Sequence, residues 1–392
     1  RHEDVPALLV SGIAGSGKTS VLMQRIAYLF FQQRETLDPS QVYLITPNPV
    51  FGRYVASVLP DLGERNPEIV TWEALLSGLL PEDRGLGRAT HKGADGTGTT
   101  LDDLRAIDEA LVGLEFRSED YRDIVCQGEK LITAQQVRSV AGRFKRAEAG
   151  PHRATLIREE LIERLDARIR QLASTDEVAD EIASLTMDEQ IAWFGELVDM
   201  TDADNTRVQA LSYLRKKYAA ATDMVLRDEW LNVDRIGMRL LGNAGLDSLE
   251  WLYLKMGCTG LGMPDIRYVM IDEVQDYSAA QLAVIARYFP RAHFMLLGDP
   301  HQAIDEGRAS FDDVRTVFRA AVGEVVDCSL MTSYRSTPEI TNLFASLLPD
   351  SERGQVQSIQ REQDAPRFVE CKTQEQYVAE LRAVVAEAAQ RE

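Results

Sequence analysis

The run Gly12-Ile13-Ala14-Gly15-Ser16-Gly17-Lys18-Thr19 places three glycines, a lysine and a hydroxyl in the order G-x-x-x-x-G-K-[ST]. This P-loop spacing suits a chain of phosphates. A turn without bulky side chains lets backbone N–H groups point inward at the β-phosphate, and a following helix adds the partial positive charge of its N-terminus. Lys18 would reach the β- and γ-phosphates, and the Thr19 hydroxyl would hold Mg²⁺. The expected nucleotide contacts are Gly12, Ala14, Gly15, Ser16, Gly17, Lys18, Thr19 and Ser20. An apolar run, Ala7-Leu8-Leu9-Val10, precedes the turn, and a helix-like run from Val21 to Phe30 follows it. A glycine-rich turn with a chance lysine would not need strand, loop and helix in that order.

A second chemical pair stands far along the chain. Asp272-Glu273 follows the strand-like run Ile266-Arg267-Tyr268-Val269-Met270-Ile271. An aspartate at a strand end can bind the Mg²⁺ that Thr19 also holds, and a neighbouring glutamate can polarise the water that attacks a γ-phosphate. The metal ligands expected are therefore Thr19 and Asp272, and the cofactors ATP and Mg²⁺.

These residues need a scaffold. Residues 5–80 alternate strand-like and helix-like runs, with Val42-Tyr43-Leu44-Ile45 as a second strand and Glu68-Ile69-Val70 as a short third. Such alternation predicts βαβ units and an α/β fold with a parallel sheet. Residues 84–100 are rich in Gly and Thr and read as a linker. From Leu101 to about Gly245 the chain is charged and helix-periodic. Ile157, Leu161, Leu165, Ile169 and Leu172 form one apolar stripe, with Glu160/Arg164 and Asp166/Arg170 at i,i+4 beside it. This segment is expected to loop out of the core as an α-helical insertion. Strand–helix alternation returns near residue 266, where His293-Phe294-Met295-Leu296-Leu297 is a further strand. Near the end, Arg367-Phe368-Val369-Glu370 reads as a strand and 373–390 as a helix.

Composition bounds the function classes. The chain has 392 residues, enough for two or three domains of about 100–200 residues. No apolar stretch reaches the ~18 residues of a membrane span, and Arg1-His2-Glu3-Asp4 is no signal peptide, so no membrane partner is expected. The four cysteines lack metal-ligand spacing and fit a reducing, cytoplasmic setting. A net charge of −19 is a poor match to tight, salt-driven binding of nucleic-acid phosphates. Charge is uneven, however. Residues 101–125 hold eight acidic and three basic groups, whereas 138–153 hold Arg138, Arg143, Lys145, Arg146 and Arg153 against Glu148. The basic run is either a solvated face or a patch for nucleic acid or an acidic protein surface.

Further motifs narrow the class. Asp272-Glu273-Val274-Gln275-Asp276 resembles motif II of superfamily 1 helicases of the UvrD/Rep/PcrA type. Gly298-Asp299-Pro300-His301-Gln302-Ala303-Ile304 resembles motif III, Ser333-Tyr334-Arg335-Ser336-Thr337 resembles motif IV, and Thr46-Pro47-Asn48 falls where motif Ia would be. The resemblance covers about 5–80 and 246–347. It implies a RecA-like P-loop NTPase core and catalytic roles for Lys18, Asp272, Glu273, Gln302 and Arg335. Gln302 would bond the γ-phosphate, Arg335 would be an arginine finger, and Tyr334 would stack on adenine. Ser336-Thr337-Pro338-Glu339 reads as a helix start with a capping box and Pro at N1. The domains implied are a first RecA-like domain at 1–83 and 246–332, the insertion at 84–245, and the opening of a second RecA-like domain at 333–392. The adenine-reading Q motif is expected upstream of Arg1 and motifs V and VI beyond Glu392, so the chain is expected to bind nucleotide weakly and turn it over poorly.

The chain departs from DNA helicases where they touch DNA. They continue motif III with aromatics that stack on bases, whereas Asp305 and Gly307 stand here, and Pro47 replaces the motif Ia aromatic. Base stacking contributes about 1–3 kcal/mol per base. This pattern is similar to that of the HelD-like ATPases, which release and recycle bacterial RNA polymerase. The likeness extends to Arg25-Ile26-Ala27-Tyr28-Leu29 and Val58-Leu59-Pro60-Asp61-Leu62-Gly63. It implies an ATPase of the bacterial cytoplasm whose partner is the RNA polymerase core, contacted through 101–245, with DNA or RNA as further partners. The alternatives are an ATP-driven 3′–5′ helicase or translocase of the UvrD class and a degenerate module that keeps nucleotide as a structural ligand. A long helical arm at 101–245 would favour the polymerase, and a compact domain capping a basic groove would favour the helicase.

Overall fold

The computed structural model describes residues 5–61, 63–81, 98–195, 203–242, 245–302 and 307–391. Arg1-His2-Glu3-Asp4, the linker stretch as far as residue 97, and Ala303, Ile304, Asp305 and Glu306 lie outside the described residues. The first part runs β1 (Ala7–Gly12), α1 (Lys18–Gln32), β2 (Val42–Thr46), α2 (Pro49–Asp61), β3 (Glu68–Thr71) and α3 (Trp72–Leu79). The middle part is α4 (Leu101–Leu111), β4 (Ile124–Cys126), β5 (Glu129–Ile132), α5 (Ala134–Arg143), α6 (Pro151–Leu172), α7 (Asp176–Ala183), α8 (Met187–Phe194), α9 (Ala203–Lys217), α10 (Ala219–Leu226) and α11 (Val233–Leu241). The chain returns to the sheet through α12 (Ser248–Thr259), β6 (Tyr268–Ile271), α13 (Ala279–Tyr288), β7 (His293–Gly298), α14 (Phe311–Val322) and β8 (Val325–Leu330). It ends with β9 (Thr332–Ser333), α15 (Pro338–Ser346), α16 (Asp350–Arg353), β10 (Gln357–Ser358) and α17 (Gln374–Arg391).

The sheet has six strands in the order β3-β2-β6-β7-β1-β8, every pair parallel. Side chains alternate between its faces, so consecutive residues enter different cores. Val10, Leu44, Met270 and Met295 pack with Leu22 and Ile26 of α1 and Val55 and Leu59 of α2. Leu9, Ile45, Ile271 and Leu296 point the other way, toward Ile285 of α13 and Phe318 of α14. Burial on both faces explains why these strands read as continuous apolar runs, and the architecture is the RecA-like α/β core.

Residues 101–245 are mostly helical, with the stripe of α6 buried as its spacing demands and Leu172 half-buried at its end. The i,i+4 partners pair as expected, Arg164 with Glu160 at 3.1 Å and Arg170 with Asp166. One expectation needs correction. The β4–β5 hairpin, turning through Gln127 and Gly128 at positive φ, interrupts the helices. The base of the segment packs on α12 and α13, with Leu104, Ile157 and Leu161 in one buried cluster with Trp251, Leu252 and Ile285, while α7 and α8 pack on α9 and α9 packs on α6. The joint is polar as well as apolar. Asp108 of α4 accepts hydrogen bonds from Arg287 Nη1 of α13 at 2.6 Å and Tyr253 Oη of α12 at 2.7 Å. Arg158 of α6 grips the buried Asp228 through two nitrogens, at 2.8 and 2.6 Å, and reaches the Thr259 carbonyl of α12.

Two smaller expectations also change. Residues 367–370 form no strand; Phe368 is exposed and no partner strand meets it among the described residues. Thr337 is the N-cap of α15 with Pro338 at N1, as read, but its side chain makes no cap hydrogen bond.

A shared core makes a prediction. Leu161→Ala removes a fully buried side chain and should cost about 2–5 kcal/mol. The loss should appear as one cooperative transition in both circular dichroism and tryptophan fluorescence. Separate melting of the helical segment would show instead that the two cores are independent.

Candidate active site

Parallel pairing places the ends of β1, β7 and β6 side by side. Ser11 lies level with Gly298, and Leu296 with Ile271. Neighbouring strands are about 4.8 Å apart, so the turns that follow all three open onto one edge of the sheet. Those turns carry Lys18, Gln302 and Asp272-Glu273.

The first turn fits a phosphate chain. Gly17 caps α1 in the left-handed conformation at φ 80°, and Lys18 opens the helix. Lys18 is buried and its Nζ donates to the Gly12 carbonyl at 2.9 Å, so the ammonium lies back along the turn. Ser16 Oγ is buried and has no hydrogen-bond partner among the described residues. A buried hydroxyl left unpaired costs about 1–3 kcal/mol, which an incoming phosphate oxygen would recover. Thr19 is half-buried on the first turn of α1 and Ser20 is exposed. Thr19 and Asp272 offer the hard oxygen ligands that suit Mg²⁺.

Asp272 is 1% exposed. Burial pushes its carboxyl up to about 7; the charge of Glu273 adds to this, while the Glu273 amide and Lys18 oppose it. The Glu273 N–H donates to Asp272 Oδ1 at 3.0 Å. Glu273 itself sits at φ 48°, a left-handed conformation costing a non-glycine residue of order 1–3 kcal/mol. Gln275 holds it there, donating from Nε2 to Glu273 Oε2 at 2.9 Å.

Gln275 also reaches the third turn. Its Oε1 accepts the Asp299 N–H at 3.0 Å. Gly298 makes this approach feasible, since a Cβ there would lie 2.4 Å from Gln275 Oε1. Asp299 is fully buried and accepts the His301 N–H at 3.0 Å and Gln302 Nε2 at 2.8 Å. Glu273 and Gln302 are therefore joined through Gln275 and Asp299. Neither Gln275 nor Asp299 is among the site residues expected from the sequence. The available signal was a carboxylate and an amide directly after apolar strands, where burial forces polar groups to pair.

Tyr334 and Arg335 come to the rim of the same turn. The Tyr334 N–H donates to the Gly15 carbonyl at 2.8 Å, and a Cβ on Gly15 would fall 2.8 Å from Arg335 Cβ. Both side chains are exposed. Ser333 Oγ faces the Ala14 carbonyl at 3.5 Å, and Ile13 is buried against Ala345, Leu348 and Val356. Every expected site residue thus lies on or beside this one edge. Gln302 is turned onto Asp299 and Lys18 onto Gly12.

A family model, the UvrD/REP helicase N-terminal domain, matches residues 263–309. Here the chain is similar to superfamily 1 helicases. The matched span takes in β6, Asp272-Glu273, β7 and Gln302, which are two of the three turns at the site, and supports a UvrD-like, ATP-dependent helicase-type motor. No curated protein matches the chain. Among the described residues, no helix is long and apolar enough to cross a membrane.

The raised Asp272 carboxyl gives a signed pH dependence. Its folded-state value near 7 exceeds the ordinary 3.8, so its stabilising contribution is complete below about pH 4 and lost as pH rises through 7. Without nucleotide or Mg²⁺, Asp272→Asn should be more stable than the parent protein at pH 8 by a few kcal/mol, and the gap should close toward pH 4. Urea midpoints at the two pH values check this; an equal gap at both would refute it.

Proposed function

We propose that this chain is the nucleotide-binding part of an ATP-hydrolysing, helicase-like motor that acts on RNA polymerase, releasing or recycling it in the bacterial cytoplasm. The observation that carries the ATPase reading is the meeting of three turns on one sheet edge, with Lys18, Asp272-Glu273 and Gln302 on adjacent strands. Mg²⁺, when bound, neutralises charge on the phosphate oxygens. Lys18 leaves the Gly12 carbonyl for the β- and γ-phosphates, and Ser16 Oγ gains the partner it lacks. Glu273, fixed by Gln275, would orient a water toward the γ-phosphate and take its proton as the water oxygen bonds to phosphorus and the bridging oxygen leaves with ADP. Gln302 exchanges Asp299 for a γ-phosphate oxygen and so reports its presence. Tyr334 and Arg335 face the nucleotide from the far rim, as a base platform and a cation for the charge of the transition state.

The target rests on different support. Asp305 and Gly307 replace base-stacking aromatics, the net charge is −19, and the likeness to HelD-like ATPases extends beyond the motifs. A helicase or translocase acting on DNA is the second reading, favoured by one observation: the base of 101–245, through α4 and α6, shares a buried core with α12 and α13. Its basic run is only partly available to nucleic acid, because Arg143 pairs with Glu160 and Arg153 donates to the Ala141 carbonyl while lying over the Phe116 ring.

Glu273→Gln should keep nucleotide binding and lose at least about a hundredfold in whatever turnover the parent shows, whereas Lys18→Ala should lose binding as well. Nucleotide titration and phosphate release measure the two. Co-purification with RNA polymerase core, set against unwinding of a tailed duplex, decides the target. Unwinding without polymerase association would overturn the polymerase reading.

A further inference from the structure

The turn after β7 is bound to the sheet on one side and to the last part of the chain on the other. On the sheet side, buried Asp299 accepts from His301 N and Gln302 Nε2 and donates its own N–H to Gln275. On the other side, His301 Nε2 lies 2.8 Å from Glu352 Oε2 of α16, and its ring meets the edge of Phe344 of α15 with centroids 6.2 Å apart. The α15–α16 unit is itself firm. Arg353 Nη2 donates to the Ser346 and Leu348 carbonyls, and Leu348 packs with Val356 on Ile13 of the nucleotide turn. His301 is thus gripped at its backbone by the group that holds Gln302, and at its ring by α16.

We propose that His301 and Glu352 form a strut that sets the position of Gln302 from α16. Both are positioning residues: they line a cavity that Gly12 and Ile13 also border, and they act on the expected phosphate site through Asp299 and Gln302. The residue beside Gln302 in sequence is the one that crosses to α16, so a shift of α16 relative to the sheet pulls directly on the Asp299–Gln302 bond. Conversely, when Gln302 leaves Asp299, His301 transmits the change to α15–α16. The strut gives the γ-phosphate a mechanical output toward residues 333–358, the segment that also presents Tyr334 and Arg335 at the rim.

The coupling half of this inference rests on the ATPase reading; the mechanical half does not, and the test separates them. Hydrogen exchange at the His301 and Gln302 amides reads the tie without any nucleotide. Glu352→Ala should speed both by about tenfold and leave the β1 amides unchanged. Phosphate release reads the coupling. His301→Ala, Glu352→Ala and the double variant should each lose about tenfold in kcat, with KM within twofold and the double no worse than either single. His301→Lys, which keeps a donor within reach of Glu352, should restore most of the rate. Unchanged exchange in Glu352→Ala overturns the strut whether or not the protein hydrolyses ATP. Faster exchange with unchanged kcat overturns the coupling. A parent protein that neither binds nor hydrolyses ATP sinks the ATPase reading and the coupling with it, leaving exchange to decide the tie.

Discussion

Parallel pairing of β7 with β1 on one side and β6 on the other brings three strand ends to one line, and each end is followed by a turn rich in groups that bind phosphate, metal or water. Parallel strands need covered faces, and here α1 and α2 cover one while α3, α13 and α14 cover the other. The apolar alternation that builds these two cores also fixes the register. A slip of one residue in β6 would exchange Met270 and Ile271 between faces and carry Asp272 out of line with the nucleotide turn. The chemistry of the site therefore depends on the packing of residues that take no part in it.

Burial is the second constraint. Asp272 and Asp299 are carboxyls placed directly after apolar strands, and both are removed from water. Asp299 meets that cost with three hydrogen-bonding partners, counting its own amide to Gln275. Asp272 has the Glu273 amide and remains partly uncompensated, which is why its carboxyl holds a proton so tightly. Asp272 and Ser16 thus hold incompletely satisfied polar groups at the site, and Glu273 adds backbone strain.

The helical segment shows a different use of the same physics. Asp108 and Arg158 bond to α12 and α13, and Asp108 does so while remaining half open to solvent. The pairing of Arg287 with Asp108 spans a long stretch of sequence, and no local pattern reveals it. The apolar stripe of α6 was legible because 3.6-residue periodicity is local; the partner it packs on was not, because that is a property of the folded chain. The β4–β5 hairpin was missed for a related reason, as its strands are too short to show alternation.

The amino-acid sequence by itself determined which groups are candidates for chemistry and their strand-loop-helix settings. Residues 12–19 are legible because phosphate binding demands glycines and a lysine at fixed spacing, and Asp272-Glu273 because a strand must end before a carboxylate can be presented. The α/β class, the order of the elements and the helix at the C-terminus were likewise local matters. Tertiary structure decided what those groups rest on. That Gln302 bonds Asp299, that Gln275 joins Asp299 to Glu273, and that His301 crosses to Glu352 follow from strand order and close approach. Contacts between residues distant in sequence are chosen by the packing of the whole chain, and spacing along the chain carries no record of them.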